Sequence, residues 1–325
     1  MERLLQQCHD MGPPALTGIR RALDSVVLDL QGPLRGLAGL RMFSALSVVL
    51  DADALVPALR RSLAEGVLSA LGPGALTFRV DPLANRWELR DLVAAELGWR
   101  NDPNDWQVNL TRSGDLLLAQ VGALHRSRRF PEMARLPAST NPVVAALLVQ
   151  LLKVVPGQVV YDPFCGSGTL LVEVAAYDNT ARLIGSDVST TALGAGVANR
   201  PLLLGRGLLM RADAARLPVA AGSVDRVVAN LPFGKRVGSH AANTVLYPLF
   251  LAELGRVLRA DGRAVLLTDD KALLRRSVQA THGLRLLREV QLASGGLHPS
   301  AFVVERTRTA KGRARAARST TARRS

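Results

Sequence analysis

The stretch Val159-Val160-Tyr161-Asp162-Pro163-Phe164-Cys165-Gly166-Ser167-Gly168-Thr169-Leu170-Leu171 constrains this chain more than any other. A short apolar run ends at an acid and a proline. Two glycines one residue apart follow, then an apolar helix pattern through Val172, Val174 and Ala175. The order predicts strand, tight turn, helix. Gly166 and Gly168 let a ligand approach the backbone, and the helix start offers N–H groups without partners. Nicotinamide dinucleotide sites share this geometry. The third glycine of their fingerprint would fall at Leu171, and a leucine there argues against a pyrophosphate packed on this helix. An acid before the turn suits a cationic, amine-bearing ligand better than a phosphate. An ordinary strand-to-helix turn is the competing reading of this stretch taken alone.

Downstream, strands and helices mostly alternate. Strands are expected at 182–186, 208–211, 224–229, 263–268, 284–292 and 301–305, and helices at 190–198, 247–258 and 271–279. Asn141 and Pro142 form a helix start before the first of these strands. Such alternation predicts an α/β fold: a doubly wound, mostly parallel sheet that binds ligands at the carboxyl ends of its strands. Upstream, strands at 41–50 and 75–80, helices at 52–71 and 88–97, and a hairpin of 106–111 with 115–121 make an α+β segment. The segment 19–30 reads as helix or strand. The basic run Arg126-Ser127-Arg128-Arg129 reads as a linker. The expected organisation is an α+β domain over 1–125, a linker over 126–141, an α/β domain over 142–306, and a disordered basic tail over 307–325.

Four consecutive strands end in chemistry. The first ends at Asp162. The second ends at Asp187, about twenty residues past the glycine turn, where an acid can take both hydroxyls of a ribose. After the third, Asp213 can accept from an adenine amino group while the Ala214 N–H donates to the ring. The fourth ends Asn230-Leu231-Pro232-Phe233-Gly234. The Asn230 side-chain carbonyl and the Leu231 main-chain carbonyl can both accept from an exocyclic amine, whose lone pair they would localise toward an electrophilic methyl. Phe233 offers a face for a stacked base. S-adenosylmethionine is the amine-bearing methyl donor that fits these acceptors. A helix cap at Asp187, a turn at Asp213 and an exposed turn at Phe233 are the alternatives.

These motifs resemble those of class I S-adenosylmethionine-dependent RNA amino-methyltransferases, and among them the THUMP-containing guanine-N2 methyltransferases of the tRNA branch. Leu136-Pro137-Ala138-Ser139-Thr140-Asn141-Pro142, Leu231-Pro232-Phe233-Gly234-Lys235-Arg236-Val237-Gly238, Asp270-Lys271 and Gly295-Gly296-Leu297-His298 carry the same likeness. It covers about 125–306, and 76–122 looks like the second half of a THUMP domain with a shortened N-terminal part. The resemblance implies a seven-stranded Rossmann-like methyltransferase sheet and an RNA-binding THUMP-like domain. It implies that Asp162, Phe164, Gly166 and Gly168 line the methionine end with Thr140 nearby. Asp187 would hold the ribose, and Asp213 with Ala214 the adenine. Asn230, Leu231, Pro232 and Phe233 would hold the target base, Asn230 also facing the cofactor. Many relatives have Pro-Pro where this chain has Leu231-Pro232. Cys165 is read as packing.

Composition agrees with a nucleic-acid partner. The 325 residues carry a formal net charge of +14, and seven cations without an acid lie in 307–325, which leaves 14 − 7 = +7 elsewhere. An arginine-rich bias without that role is the alternative. Two cysteines and five scattered histidines imply neither a disulfide framework nor a metal site, and no apolar run is long enough for a bilayer. The expected partner is tRNA, with no membrane and a cytoplasmic location; a small activator protein and the oligomeric state stay open. Ribosomal RNA methylation, DNA adenine-N6 methylation and non-catalytic RNA binding by a vestigial site are the competing functions.

Overall fold

The structure, a computed structural model, describes residues 15–21, 26–31, 40–51, 53–64, 76–234, 239–292 and 297–307. The chain divides into two units, Met1–Pro131 and Glu132–Ser325.

In the first unit the ambiguous segment becomes a pair of antiparallel strands, β1 (Ala15–Arg21) and β2 (Val26–Gln31). Then come β3 (Ser47–Leu50), helix α1 (Leu55–Ala64), β4 (Thr77–Val80), helix α2 (Arg86–Leu97), β5 (Arg100–Asn101), β6 (Val108–Ser113) and β7 (Leu116–Val121). Among the described residues β3–β7 form a five-stranded sheet in the order β3-β7-β6-β4-β5. Period-two burial sets its face: Leu117, Ala119 and Val121 of β7 point into a core with Phe78, Val108, Leu110, Leu59 of α1 and Val93 of α2. Ser113 pairs with Leu116, so the hairpin turns on Gly114 and Asp115, with Gly114 at φ 56°.

The stretch expected as a linker begins differently. Arg126–Arg129 is a single helical turn, α3, within the first unit. The Arg129 guanidinium lies 3.8 Å over the Phe43 ring and donates to the carbonyls of Leu40 and Phe43. Its charge is spent on neighbouring carbonyls, so the run of cations is a structural clamp as well as a basic surface.

The second unit holds α4 (Pro142–Leu152), β8 (Val159–Asp162), α5 (Thr169–Tyr177), β9 (Arg182–Asp187), α6 (Thr190–Ala198), β10 (Gly207–Arg211), β11 (Val224–Asn230), α7 (His240–Val257), β12 (Leu258–Thr268), α8 (Lys271–Ala280), β13 (Leu284–Gln291) and β14 (Ser300–Arg306). Its strands form a seven-stranded sheet among the described residues, in the order β10-β9-β8-β11-β12-β14-β13. Neighbours from β10 to β12 are parallel; β14 runs antiparallel to both β12 and β13. The strand order reverses beside β8, which puts the ligand crevice outside the ends of β8 and β11. Adjacent residues serve opposite faces. Val160 and Val228 join a core with α4 and α5, while Tyr161 and Val227 join one with α7.

Helix α7 starts at His240, seven residues before the expected position. Ser239 caps it by accepting from the Ala242 N–H at 3.1 Å, and Pro248 lies inside the helix. A proline is usual at a helix start, which is why the sequence suggests a later one. The expected join at Gly295-Gly296 and the tail beyond Thr307 lie outside the described residues. No described helix is long and apolar enough to cross a membrane.

Leu171 explains why this turn is not a dinucleotide turn. It is fully buried, and the strand opposite carries the small residue instead. A Cβ on Gly185 would lie 2.8 Å from the Leu171 methyl, 2.7 Å from a Leu209 methyl and 3.1 Å from the Cys165 Cβ. Gly185→Ala should therefore cost about 1–3 kcal/mol through overpacking. In a urea double-mutant cycle with Leu171→Ala the two losses should couple favourably by about 0.5 kcal/mol or more. Simple additivity would show that the two do not compete for the same space.

Candidate active site

The glycine turn is fixed by atoms at the ends of two strands, β8 and β9, and by Asn199 at the end of α6. Asp162, at the end of β8, is 1% exposed. Its Oδ1 accepts the Phe164 N–H at 3.0 Å, while its Oδ2 is buried without a partner. Burial pushes this carboxyl well above the ordinary carboxylate range, against the Phe164 hydrogen bond and with help from Asp187. Gly166 and Gly168 have φ of 50° and 81°, conformations that favour glycine. The Gly166 N–H donates to Asp187 Oδ2 at 2.9 Å, and Asp187 Oδ1 accepts from the Ser189 N–H at 2.9 Å. Helix α6 is capped by Ser189 itself, not by Asp187. A Cβ on Gly168 would meet nothing within 4 Å, so the turn has an open side where a ligand can approach.

The expected acids and Asn230 come together at one edge, since Asp162, Asp187, Asp213 and Asn230 end or follow four adjacent parallel strands. The Ala212 N–H donates to the Asp187 carbonyl at 3.2 Å, which ties the segment after β10 to β9. Asp213 Oδ1 accepts the Ala215 N–H at 2.9 Å, and Ala214 is buried. Thr140 is 9% exposed just before α4. Its neighbour Ser139 reaches the turn, with 2.8 Å between the Ser139 and Ser167 hydroxyls. Cys165 packs in the core, where burial raises its thiol pKa. Phe164 stands edge-on to Phe250, with ring centroids 5.1 Å apart.

At the end of β11 the Asn230 Oδ1 is buried without a partner. The next residue extends the ladder: the Leu231 N–H donates to the Leu267 carbonyl at 3.0 Å. The Pro232 carbonyl is doubly held, by Asn243 Nδ2 at 2.8 Å and by the Tyr247 hydroxyl at 2.8 Å. Tyr247 also lies 2.7 Å from the Thr268 hydroxyl. Phe233 packs against the core below α4 and α5. A Cβ on Gly234, at φ 76°, would come within 2.7 Å of the His240 nitrogen, so this loop abuts the start of α7. Residues 235–238 lie outside the described residues.

Three supporting residues escaped the sequence reading. Asn199 joins the turn to the segment before α4, donating to the Ser167 and Ala134 carbonyls at 2.8 Å each. It also accepts the Ala134 N–H at 2.8 Å. Asn243 and Tyr247 hold the Asn230–Gly234 loop. Their only signal in the sequence is polarity within an otherwise apolar helix pattern. Among the described residues no cluster of His, Cys, Asp or Glu could hold a metal ion.

The sequence profile of the UPF0020 family, described as RMKL-like, methyltransferase domain, matches residues 128–300, more than half of the chain. The chain belongs to this family. It is similar to a tRNA (guanine(6)-N2)-methyltransferase of Thermus thermophilus, 39% identical over 185 residues, which cover 55% of this chain and 53% of the relative. It is also similar to tRNA (guanine(6)-N(2))-methyltransferase THUMP3 of Bos taurus, 33% identical over 53% of this chain and 37% of the relative. A third relative, 32% identical over 41% of this chain and 26% of its own length, is U6 snRNA (guanine-N(2))-methyltransferase THUMPD2 of Bos taurus. The matched part thus spans about half of the Thermus relative's length, and less of the others. Over 94% of this chain the fold matches the crystal structure of TrmN from Thermus thermophilus, with a TM-score of 0.71, 28% identity and 96% of that chain covered.

Two outcomes follow for this UPF0020 domain. The folded Asp162 carboxyl binds its proton more tightly than the unfolded one, so the stability it contributes is present at low pH and lost as pH rises through the raised value. Asp162→Asn keeps an oxygen for the Phe164 N–H and removes the charge. In urea unfolding its stability should match wild type at low pH and exceed it at neutral pH, the gap growing by about 1.4 kcal/mol per pH unit between the unfolded and the raised folded value and staying constant above that. Equal stability at every pH would show that Asp162 finds compensation elsewhere. Tyr247→Phe should lose about 1–2 kcal/mol in urea unfolding, because the Pro232 carbonyl loses a donor and the Thr268 hydroxyl loses its partner. No loss would mean that the loop is held by Asn243 alone.

Proposed function

We propose that this chain uses S-adenosylmethionine to methylate the exocyclic N2 amine of a guanine in tRNA, in the acceptor stem near position 6. The observation that carries this reading is the pair of buried acceptors without partners, Asp162 Oδ2 and Asn230 Oδ1, at the ends of the strands that flank the switch point. One is a carboxylate suited to an ammonium group. The other is a neutral carbonyl suited to an amine that must keep its lone pair. The names of the relatives give the substrate class.

Bound S-adenosylmethionine supplies a methyl group made electrophilic by its sulfonium. Asp162 would accept from the methionine ammonium beside Phe164, Gly166, Gly168 and Thr140. Both Asp187 oxygens already take one backbone N–H each, and each keeps lone-pair capacity for a ribose hydroxyl. Asp213 and the Ala214 N–H would read the adenine. At the target, Asn230 Oδ1 and the Leu231 carbonyl would accept the two amine hydrogens and orient the nitrogen lone pair. Pro232 is held by Asn243 and Tyr247, so the loop is positioned before the base arrives. Phe233 would stack on a guanine taken out of the helix at a cost of a few kcal/mol. The first unit, as a THUMP-like RNA-binding domain, would hold the 3′ end and set the distance to the target. The same chemistry on another RNA is the alternative, since one relative is named for U6 snRNA.

The test is single-turnover methylation of unmodified tRNA, ribosomal RNA and U6-type RNA, with nucleosides read by mass spectrometry. N2-methylguanosine in the tRNA acceptor stem is expected, with the rate cut on the order of 10²-fold in Asn230→Ala, far more than cofactor affinity. A different methylated nucleoside would overturn the reaction, and a full rate in Asn230→Ala would overturn the role of this loop.

A further inference from the structure

We propose that a cavity at the start of α2, in the first unit, is a phosphate-binding site for the RNA substrate. The proposal rests on the RNA reading above and adds a site and a ligand chemistry to it. The cavity holds ≈ 200 Å³ and is lined by Arg79, Asp81, Arg86, Trp87, Arg90 and Asn101. Three guanidiniums thus face one carboxylate.

The cations are held ready. Arg86 and Arg90 lie 4.3 and 4.7 Å from the centroid of the Trp87 ring, and Arg79 lies 4.4 Å from that of Trp106. Trp87 is 56% exposed, so the ring serves as a platform for the two guanidiniums and not as core. Their hydrogen-bonding capacity is in excess. Among the described residues no carboxylate pairs with Arg86. The Arg79 Nε is buried without an acceptor, and its nearest carboxylate, on Asp81, stands at 3.7 Å. Asp81 also accepts from Asn109 at 3.2 Å, and Arg90 shares its charge with Asp91 at 2.6 Å.

Preordered guanidinium forks in a concavity match the oxygens of a phosphate, two at a time. The cavity is smaller than the roughly 300–1,000 Å³ of drug-sized ligand sites. It has room for a phosphate with part of its sugar. An RNA offers such a group either at its 5′ end or along its backbone.

The experiment is fluorescence anisotropy of full-length protein with a tRNA transcript, in 5′-phosphate and 5′-hydroxyl forms, between about 50 and 200 mM salt. The proteins are wild type, Arg86→Gln/Arg90→Gln, and Arg112→Gln as a surface-charge control outside the cavity. The double variant should bind tenfold or more weakly, with a log–log salt slope shallower by about 0.7–0.9 for each phosphate that it no longer neutralises. The control should change far less. If the wild-type preference for the 5′-phosphate form disappears in the double variant, the site takes the terminal phosphate. If both forms weaken equally, it takes a backbone phosphate. Unchanged affinity and slope in the folded double variant would overturn the site. Should that variant fail to fold, Arg86→Glu carries the same comparison.

Methylation titrated with RNA separates this proposal from the one it rests on. The double variant should need more RNA to reach its half-maximal single-turnover rate, while Arg112→Gln should keep the wild-type dependence. A wild-type protein that binds RNA through this cavity but forms no N2-methylguanosine would remove the enzymatic reading and leave the site.

Discussion

A carboxylate that is almost wholly buried, with one oxygen unpaired, is a cost that folding meets only when the surroundings cannot move to relieve it. Asp162 is in that position. Among the described residues its one protein donor is the Phe164 N–H, two residues along its own turn. The turn is held in place because most of its other groups are committed. Gly166 is tied to Asp187, Gly168 to the Cys165 carbonyl, and Ser167 to Asn199 and Ser139. The Cys165 N–H in turn donates to the Ser186 carbonyl on β9. The rigidity of the turn therefore maintains a desolvated acceptor that only an incoming donor can satisfy, and a cationic donor best of all.

The loop after β11 obeys the same logic with a neutral acceptor. Asn230 Oδ1 is kept unpaired while the residues on its C-terminal side are pinned. Leu231 matters through its backbone. Its N–H continues the β11–β12 ladder to Leu267 at 3.0 Å, a bond that a proline at this position could not make. The Pro-Pro form seen in the family it resembles fixes the backbone by ring geometry. Here a hydrogen bond does that at position 231, and Asn243 and Tyr247 do it at Pro232. The Pro232 carbonyl is occupied twice over, by the Asn243 amide and the Tyr247 hydroxyl.

What could be read from the sequence was what is local. Strand, acid, glycine turn and helix are encoded within Val159–Leu171, and the mostly parallel sheet follows from the alternation of strands and helices. The acids at 187 and 213 stand out because each ends a short apolar run. The supports do not stand out. Asn199 acts on Ala134, 65 residues away, and Ser139 on Ser167, 28 residues away. Neither pairing leaves a periodic trace. Pro248 misled because a proline inside a helix resembles one at its start. Arg126–Arg129 reads as a linker because a basic run has no apolar pattern, and the partners of Arg129, more than 80 residues upstream, leave no local trace.

Net charge alone does not locate an RNA surface here, because much of the arginine is used internally. Arg256 donates to the carbonyls of Leu217 and Val219 and pairs with Glu253. Arg263 pairs with Glu305 across β12 and β14, and Arg259 with Asp225. Arg306 donates to the Leu258 carbonyl. These guanidiniums satisfy backbone and carboxylate oxygens at strand and helix ends, a task suited to their planar fork. A partner's phosphates can claim only cations without such obligations. In the first unit Arg86 meets that condition, stacked on an exposed tryptophan and opposed by no acid among the described residues. The physical discriminator is thus donor capacity left over after folding, not the abundance of positive charge.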